Sequence, residues 1–344
     1  MAVTLGLSAL RGALRMTDAI RLLEEMLSHE AAGRTVSTPR FRADFEGGSM
    51  RILFAADYEA GYCATKAYHT VKGAGVRYVI TLYRLKDGEL LAFLDGSHIT
   101  DLRTGAASGV VARRVSVTSP VTAGVIGSGH QARTQLESIG AVYRLASATV
   151  FSPTASHRET FAREMSGLLK IPIKVVETAE AAVRAQKVVI AASSSHSVDP
   201  VLHGEWLDAC RLLCAVGNTQ PQFAEVDQEC LGRAAIVVAD TEHAFAEAGE
   251  LRKATESGAL SSARLATLSQ LVSGAVKVPR QGMVAFKSVG SALQDLALAG
   301  RCYELLGTRS GVPAASDLAS VRLRMHEMGR AAPGRARPGT RPRA

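Results

Sequence analysis

Cysteine is scarce in this chain and long apolar runs are missing. Its 344 residues hold five cysteines, at positions 63, 210, 214, 230 and 302. An odd, scattered set does not make a disulfide framework and fits reduced thiols in a cytoplasm. Cys210 and Cys214 stand four apart, but no histidine or further cysteine completes a zinc set, so no metal is expected. No apolar run approaches the roughly 20 residues that cross a bilayer, so no membrane partner is expected. The first fifteen residues lack the basic-then-apolar order of a secretory signal. Acid is missing from the last fifteen residues, which carry Arg330, Arg335, Arg337, Arg341 and Arg343. The chain's net charge of +8 therefore leaves only +3 for everything before them. A basic balance can signal nucleic acid, but here it belongs mostly to the Pro/Arg-rich stretch 329–344, which reads as a disordered tail. A nucleic-acid partner is not expected.

What is present reads as two units. Residues 17–32 form an amphipathic helix, with Thr17 placed to cap it and Ile20, Leu22, Leu23, Met26 and Leu27 on its apolar face. From 49 to about 100, β-rich runs are separated by turns such as Lys86-Asp87-Gly88, which predicts a mostly antiparallel sheet. A helix rich in small residues is predicted over 101–116. At Thr118-Ser119-Pro120 the pattern changes. Six apolar runs, from TAGVIG to AAIVVAD, then alternate with helical stretches, which predicts a parallel sheet covered on both faces. The fold class is thus α/β: a doubly wound Rossmann-type sheet plus an α+β unit with a mostly antiparallel sheet. Residues 285–306 read as a strand running into a long helix.

The sequence Gly127-Ser128-Gly129-His130-Gln131-Ala132 follows an apolar strand and opens a helix. That context marks a dinucleotide loop: Gly127 for the tight turn, Gly129 for close approach of a pyrophosphate, and free N–H groups at the helix start to receive it. Ser128, His130 and Gln131 are candidate cofactor contacts with them. The next strand ends at Ser152, where a carboxylate would grip a ribose 2′-hydroxyl. Its absence, with Arg158 a few residues on, favours NADP(H) over NAD(H).

Four segments, in order, resemble the ornithine cyclodeaminase/mu-crystallin family: AFLDGSHITDLRTGAASGVVA, VIGSGHQARTQLESI, DPVLHGEWLDACRLLCAVG and AFKSVGSALQDLALA. The resemblance spans about residues 17–306. It implies a homodimer with an N-terminal dimerisation and substrate domain (1–118, with 300–328 returning to it) and a cofactor domain (119–299). It also implies a small α-imino or α-amino acid substrate whose carboxylate meets Arg40, Lys66 and Arg103. An arginine pair suits a carboxylate because it offers bidentate, charge-assisted bonds. Lys66 lies within a β run, where a buried ammonium needs an anion nearby. Arg42 competes for the role of Arg40. Arg103 is also implied near the cofactor, which Thr81, Ser193, Val216, Gly217 and Val289 would line.

The chain departs from the cyclodeaminase pattern at two acids. Ile52 and Thr219 stand where carboxylates are expected. A base that activates a side-chain amine is therefore missing. This favours an NAD(P)-dependent ketimine reductase or amino-acid dehydrogenase. Lys66 would then polarise or protonate the nitrogen, and Thr219 would offer a hydroxyl. The alternatives are a cyclodeaminase using another base, such as Asp227, and a dinucleotide-dependent binding protein without turnover.

Overall fold

The computed structural model describes residues 2–195 and 197–307. The stretch 329–344 and the part of 300–328 beyond Gly307 lie outside the described residues. The chain begins with strand β1 (Val3–Leu5), the one-turn helix α1 (Leu7–Leu10) and helix α2 (Met16–Ala31). It continues through β2 (Thr35–Ser37), β3 (Phe41–Phe45), β4 (Gly48–Asp57), β5 (Tyr62–Val71), β6 (Gly75–Arg84), β7 (Leu90–Asp95) and α3 (Gly96–Ala112). These strands form one sheet in the order β1-β7-β6-β5-β4-β2, with β3 also on β4. All its pairs are antiparallel except β1 with β7.

Helix α2 buries Met16, Ala19, Ile20, Leu23, Met26 and Leu27, the spacing of a single helical face. Thr17 does not cap it. Arg15 occupies the cap position without a side-chain cap bond, and its guanidinium pairs with Asp18 of the first turn at 3.0 Å. Helix α3 starts at Gly96 rather than 101 and ends at Ala112 rather than 116. Asp95, the last residue of β7, caps it by accepting a hydrogen bond from the Ser97 N–H at 2.9 Å.

The second sheet is built from β8 (Val121–Ile126), α4 (His130–Val142), β9 (Leu145–Phe151), α5 (Ala155–Leu169), β10 (Ile173–Val175), α6 (Ala179–Val183), β11 (Val188–Ala191) and β12 (Leu212–Ala215). It is completed by α7 (Gln228–Gly232), β13 (Ala234–Ala239), α8 (Ala244–Glu247), α9 (Gly249–Glu256), β14 (Leu265–Thr267), α10 (Leu268–Ser273), β15 (Met283–Lys287) and α11 (Ala292–Leu306). Its order is β10-β9-β8-β11-β12-β15-β13-β14, and every pair is parallel. The six apolar runs are β8 to β13. Strand β15 inserts between β12 and β13, and β14 is an edge strand the sequence pattern did not reveal. Strands β11 and β12 are buried along their whole length, as a sheet covered on both faces requires. Strand order reverses between β8 and β11, so the loops after them diverge and open a crevice at the carboxyl ends.

Helix α3 joins the two sheets and packs against both α2 and α4; α11 packs against α2, α3, β4 and β5. The chain's last described helix therefore lies on the first sheet. No helix among the described residues is long and apolar enough to cross a membrane. The α3–α4 contact depends on small residues: a Cβ on Gly105 would stand 2.6 Å from the Thr134 carbonyl oxygen, backbone that cannot rotate away. Gly105→Ala should cost about 1–3 kcal/mol by overpacking, read as a lower urea midpoint at constant m-value. An unchanged midpoint would show that the two helices are not locked there.

Candidate functional site

The crevice begins at the loop after β8. Gly127 has φ +111°, and a Cβ there would collide with the Ala192 carbonyl oxygen at the end of β11. Only glycine brings these two strand ends so close. Gly129 caps α4 without any side-chain bond, and the space where its Cβ would point is open. The helix start therefore presents unpaired N–H groups to a concave opening. The Ser128 and Ser152 hydroxyls are 2.9 Å apart and tie the ends of β8 and β9 together. Just after β11 the Ser193 hydroxyl is buried beside the Glu225 carboxylate. These features fit a dinucleotide lying across the crevice.

Arg158 is already engaged: it donates to the Ser152 carbonyl oxygen at 2.9 Å and pairs with Glu177. His130 is exposed and lies 3.8 Å from Asp101. Gln131 donates to Asp101 at 2.9 Å, linking α4 to α3.

Glu225 holds the other side of the crevice. Fully buried, its carboxylate accepts from the Ser193 N–H at 2.6 Å and the Gly217 N–H at 2.7 Å, joining the loops after β11 and β12. Burial pushes its pKa up, and Lys287 opposes that. The Lys287 ammonium is fully buried, pairs with Glu250 at 3.0 Å and donates to the Asn218 carbonyl oxygen at 2.6 Å. Asn218 in turn donates to Glu250 at 3.1 Å. Sequence reasoning missed this network. The available signal was Lys287 at the end of an apolar strand, the same signal that marked Lys66.

Beside the crevice lies a cavity of about 360 Å³ between the two sheets. Arg40, Lys66, Arg103, Gln131, Val216, Gly217, Thr219 and Val289 all line it. Lys66 is almost completely buried on β5, and its anion is Asp295 of α11, at 2.8 Å. A second N–H goes to the Thr100 hydroxyl at 2.7 Å. An ammonium has three N–H donors, so one remains for the cavity. Burial pulls the Lys66 pKa down to about 8, Asp295 opposes that, and Arg103 adds to it. Arg103 also reaches Asp295, at 3.3 Å, and donates to the Gln294 side chain at 3.1 Å.

The turn after β15 is shaped around this guanidinium. A Cβ on Gly290, at φ +81°, would collide with Arg103. Asp240 fixes the turn by accepting from the N–H groups of Val289 at 2.5 Å and Gly290 at 2.7 Å. Arg40 crosses from the first sheet to pair with Glu247 at 2.6 Å and to donate to the Val289 carbonyl oxygen at 2.7 Å.

Other candidates lie elsewhere. Thr81 is half-buried, but Tyr78 of the same strand lines the cavity, so strand alternation puts Thr81 on the opposite face. Arg42 is exposed and paired with Asp44 at 2.8 Å. Ile52 points to the outer face and is 37 % exposed; the β4 residues that line the cavity are Arg51 and Leu53. The residue facing the site is therefore not Ile52. Asp227 does not line the cavity either. It caps α7, accepting from the N–H groups of Cys230 at 2.8 Å and Gly204 at 3.1 Å. Asp295 is the one carboxylate among the described lining residues.

Residues 3–309 match the ornithine cyclodeaminase/mu-crystallin family. An alanine dehydrogenase of Archaeoglobus fulgidus is 30% identical over 301 residues, covering 84% of this chain and 90% of that one. A Δ1-pyrroline-2-carboxylate reductase of Bacillus cereus is 30% identical over 306 residues, covering 86% of this chain and 93% of its own length. The solved Δ1-pyrroline-2-carboxylate reductase of Thermococcus litoralis, in complex with NADH and L-proline, superposes with a TM-score of 0.82 at 28% identity. It covers 88% of this chain and 97% of its own.

The Lys287 network yields a stability test. Lys287→Met leaves two buried carboxyl groups, Glu225 and Glu250, without their cation. It should cost about 3–5 kcal/mol at neutral pH. Because protonation removes the unpaired charge, the deficit should shrink as pH falls. Urea titrations at several pH values measure it, and a pH-independent deficit would contradict the charge explanation.

Proposed function

This chain belongs to the ornithine cyclodeaminase/mu-crystallin family, and we propose from its cavity how it works. It is an NAD(P)-dependent oxidoreductase acting at the carbon–nitrogen bond of a small α-imino or α-amino acid. The observation that carries the mechanism is the Lys66–Asp295–Arg103 cluster beside the glycine loop. It supplies cations, one spare N–H donor and no second carboxylate for a base. When bound, the nicotinamide supplies or accepts the hydride.

The protein does the rest. Arg103 and Arg40 hold the substrate carboxylate. Lys66 keeps that carboxylate company and protonates the imine nitrogen as the carbon is reduced. Asp295 holds the Lys66 ammonium in place and keeps its proton available. Thr219 offers a hydroxyl to the reacting nitrogen. Gly127 and Gly129 admit the pyrophosphate to the start of α4, with Ser128, His130 and Gln131 around it. Ser193, Val216, Gly217 and Val289 border the nicotinamide end.

NADP(H) is the favoured cofactor, because Ser152, the residue after β9, offers no carboxylate to a ribose 2′-hydroxyl and the Arg158 guanidinium lies against its carbonyl oxygen. Residues 1–118, joined by the chain from residue 300 on as far as the last described residue, Gly307, form the substrate and dimerisation unit, and 119–299 form the cofactor unit. A homodimer is supported by the outer face of the first sheet, where Val36, Phe41 and Ile52 are exposed together on β2, β3 and β4. The five free cysteines, four of them buried, suit a reducing cytoplasm.

Two outcomes follow. Reduction needs the protonated Lys66, so reductive kcat/KM on α-imino acids should fall as pH rises through about 8, and oxidation of the amino acid should rise over the same range. Lys66→Met should lower the reductive rate by about 10²–10⁴-fold and abolish that limb. A limb that survives in the variant would assign the titration to the substrate. Ser152→Asp should shift the NADPH/NADH ratio of kcat/KM towards NADH by about tenfold or more. An unchanged ratio would mean that the end of β9 does not meet the ribose.

A further inference from the structure

Four cations line the cavity: Arg40, Arg51, Lys66 and Arg103. Three have carboxylate partners. Arg40 pairs with Glu247, and Lys66 and Arg103 share Asp295. Arg51 has none among the described residues. Its guanidinium donates to the hydroxyls of Ser49 at 3.1 Å and Thr70 at 3.2 Å, and lies 5.5 Å from the centre of the Tyr68 ring.

The surroundings make this cation costly. In the β3–β4 ladder Arg51 stands directly opposite Arg42, and like charges in that register repel. Asp44 offsets Arg42 but does not pair with Arg51. On its other side, the ladder pairs Arg51 with Tyr68 and Leu53 with Lys66, so Arg51 and Lys66 are diagonal neighbours on one face. Diagonal neighbours are about 7–8 Å apart at the backbone. A half-buried guanidinium between two other cations, facing a cavity, calls for an anion that arrives with the ligand.

We propose that the substrate carries a second carboxylate and that Arg51 holds it. The substrate class is a four- or five-carbon α-imino dicarboxylate, or the corresponding amino acid. This rests on the oxidoreductase reading above. Arg103 and Arg40 take the α-carboxylate, Lys66 keeps its free N–H for the nitrogen, and the side chain runs along β4 and β5 to Arg51. In reduction the imine carbon gains the hydride, the nitrogen gains a proton, the C=N double bond becomes single, and the reduced nicotinamide is oxidised. The reverse reaction returns the same hydride and proton. A methyl or propyl side chain would leave the Arg51 charge facing apolar carbon. Arg51 is thus a specificity-determining residue.

The test uses the full chain with NADPH and with NADH. Oxaloacetate and 2-oxoglutarate with ammonium form the dicarboxylic imines in solution; pyruvate and 2-oxobutyrate with ammonium form the monocarboxylic ones. L-Aspartate, L-glutamate and L-alanine probe the oxidative direction. The dicarboxylates should lead in kcat/KM. Arg51→Leu should lower the dicarboxylate-to-monocarboxylate ratio by about 10–100-fold, the worth of charge-assisted bonds to one carboxylate. Arg51→Lys should restore part of the ratio, which shows that the site still folds. Monocarboxylates reacting as well as dicarboxylates would overturn the inference and leave the oxidoreductase reading intact. So would an Arg51→Leu variant that loses both series equally, since Arg51 would then be holding the α-carboxylate. No turnover in either series would overturn the inference, and the oxidoreductase reading too if Δ1-pyrroline-2-carboxylate, a cyclic imino acid, were not reduced either.

Discussion

The ion pair between Lys66 and Asp295 is the interaction on which the site depends. Both groups are almost completely buried, and each joins a different part of the chain. Lys66 belongs to β5 in the first sheet, and Asp295 to α11, which follows the last strand of the second. Burying two charges costs more than their attraction returns unless the remaining donors and acceptors are met. Here Thr100 and Arg103 meet them, and one ammonium N–H is left over. The unspent donor faces the cavity, where the proposed substrate would meet it.

A second buried network does the corresponding work for the crevice. Glu225 clamps two loop N–H groups, and Lys287 and Glu250 balance the charge beneath them. The two networks meet at the turn after β15. Lys287 ends that strand, Val289 and Gly290 form the turn, and Arg40 and Arg103 lie against it. Inserting β15 between β12 and β13 brings that turn to the mouth of the crevice. Strand order, and not any local motif, thus puts the cavity's cations next to the glycine loop.

Some of this was legible in the sequence for physical reasons. The glycine loop was readable because a tight turn and a close backbone approach admit only a few residue types. Lys66 was readable because a charge within an apolar strand demands a partner, although the partner, Asp295, lay over two hundred residues away. The outward and inward faces of β4 were not readable. A one-residue slip in a strand exchanges the two faces, so Ile52 was taken for the site-facing position and Arg51 was passed over. Thr81 illustrates the same limit on β6. The start of α3 was misplaced because Asp95 both ends a strand and caps a helix. Glu225, Glu250 and Lys287 are scattered along the chain, and only the fold assembles them.

The central claim is that the cation cluster and the nicotinamide act on one carbon–nitrogen bond. Reduction of α-imino acids with cofactor carrying deuterium at the transferable position of its nicotinamide C4 tests it most directly, with the product read by mass spectrometry. The account predicts one deuterium at the α-carbon for each cofactor oxidised. Ammonia release from a diamino acid without net cofactor change, or tight cofactor binding with no oxidation on any imino acid, would contradict it.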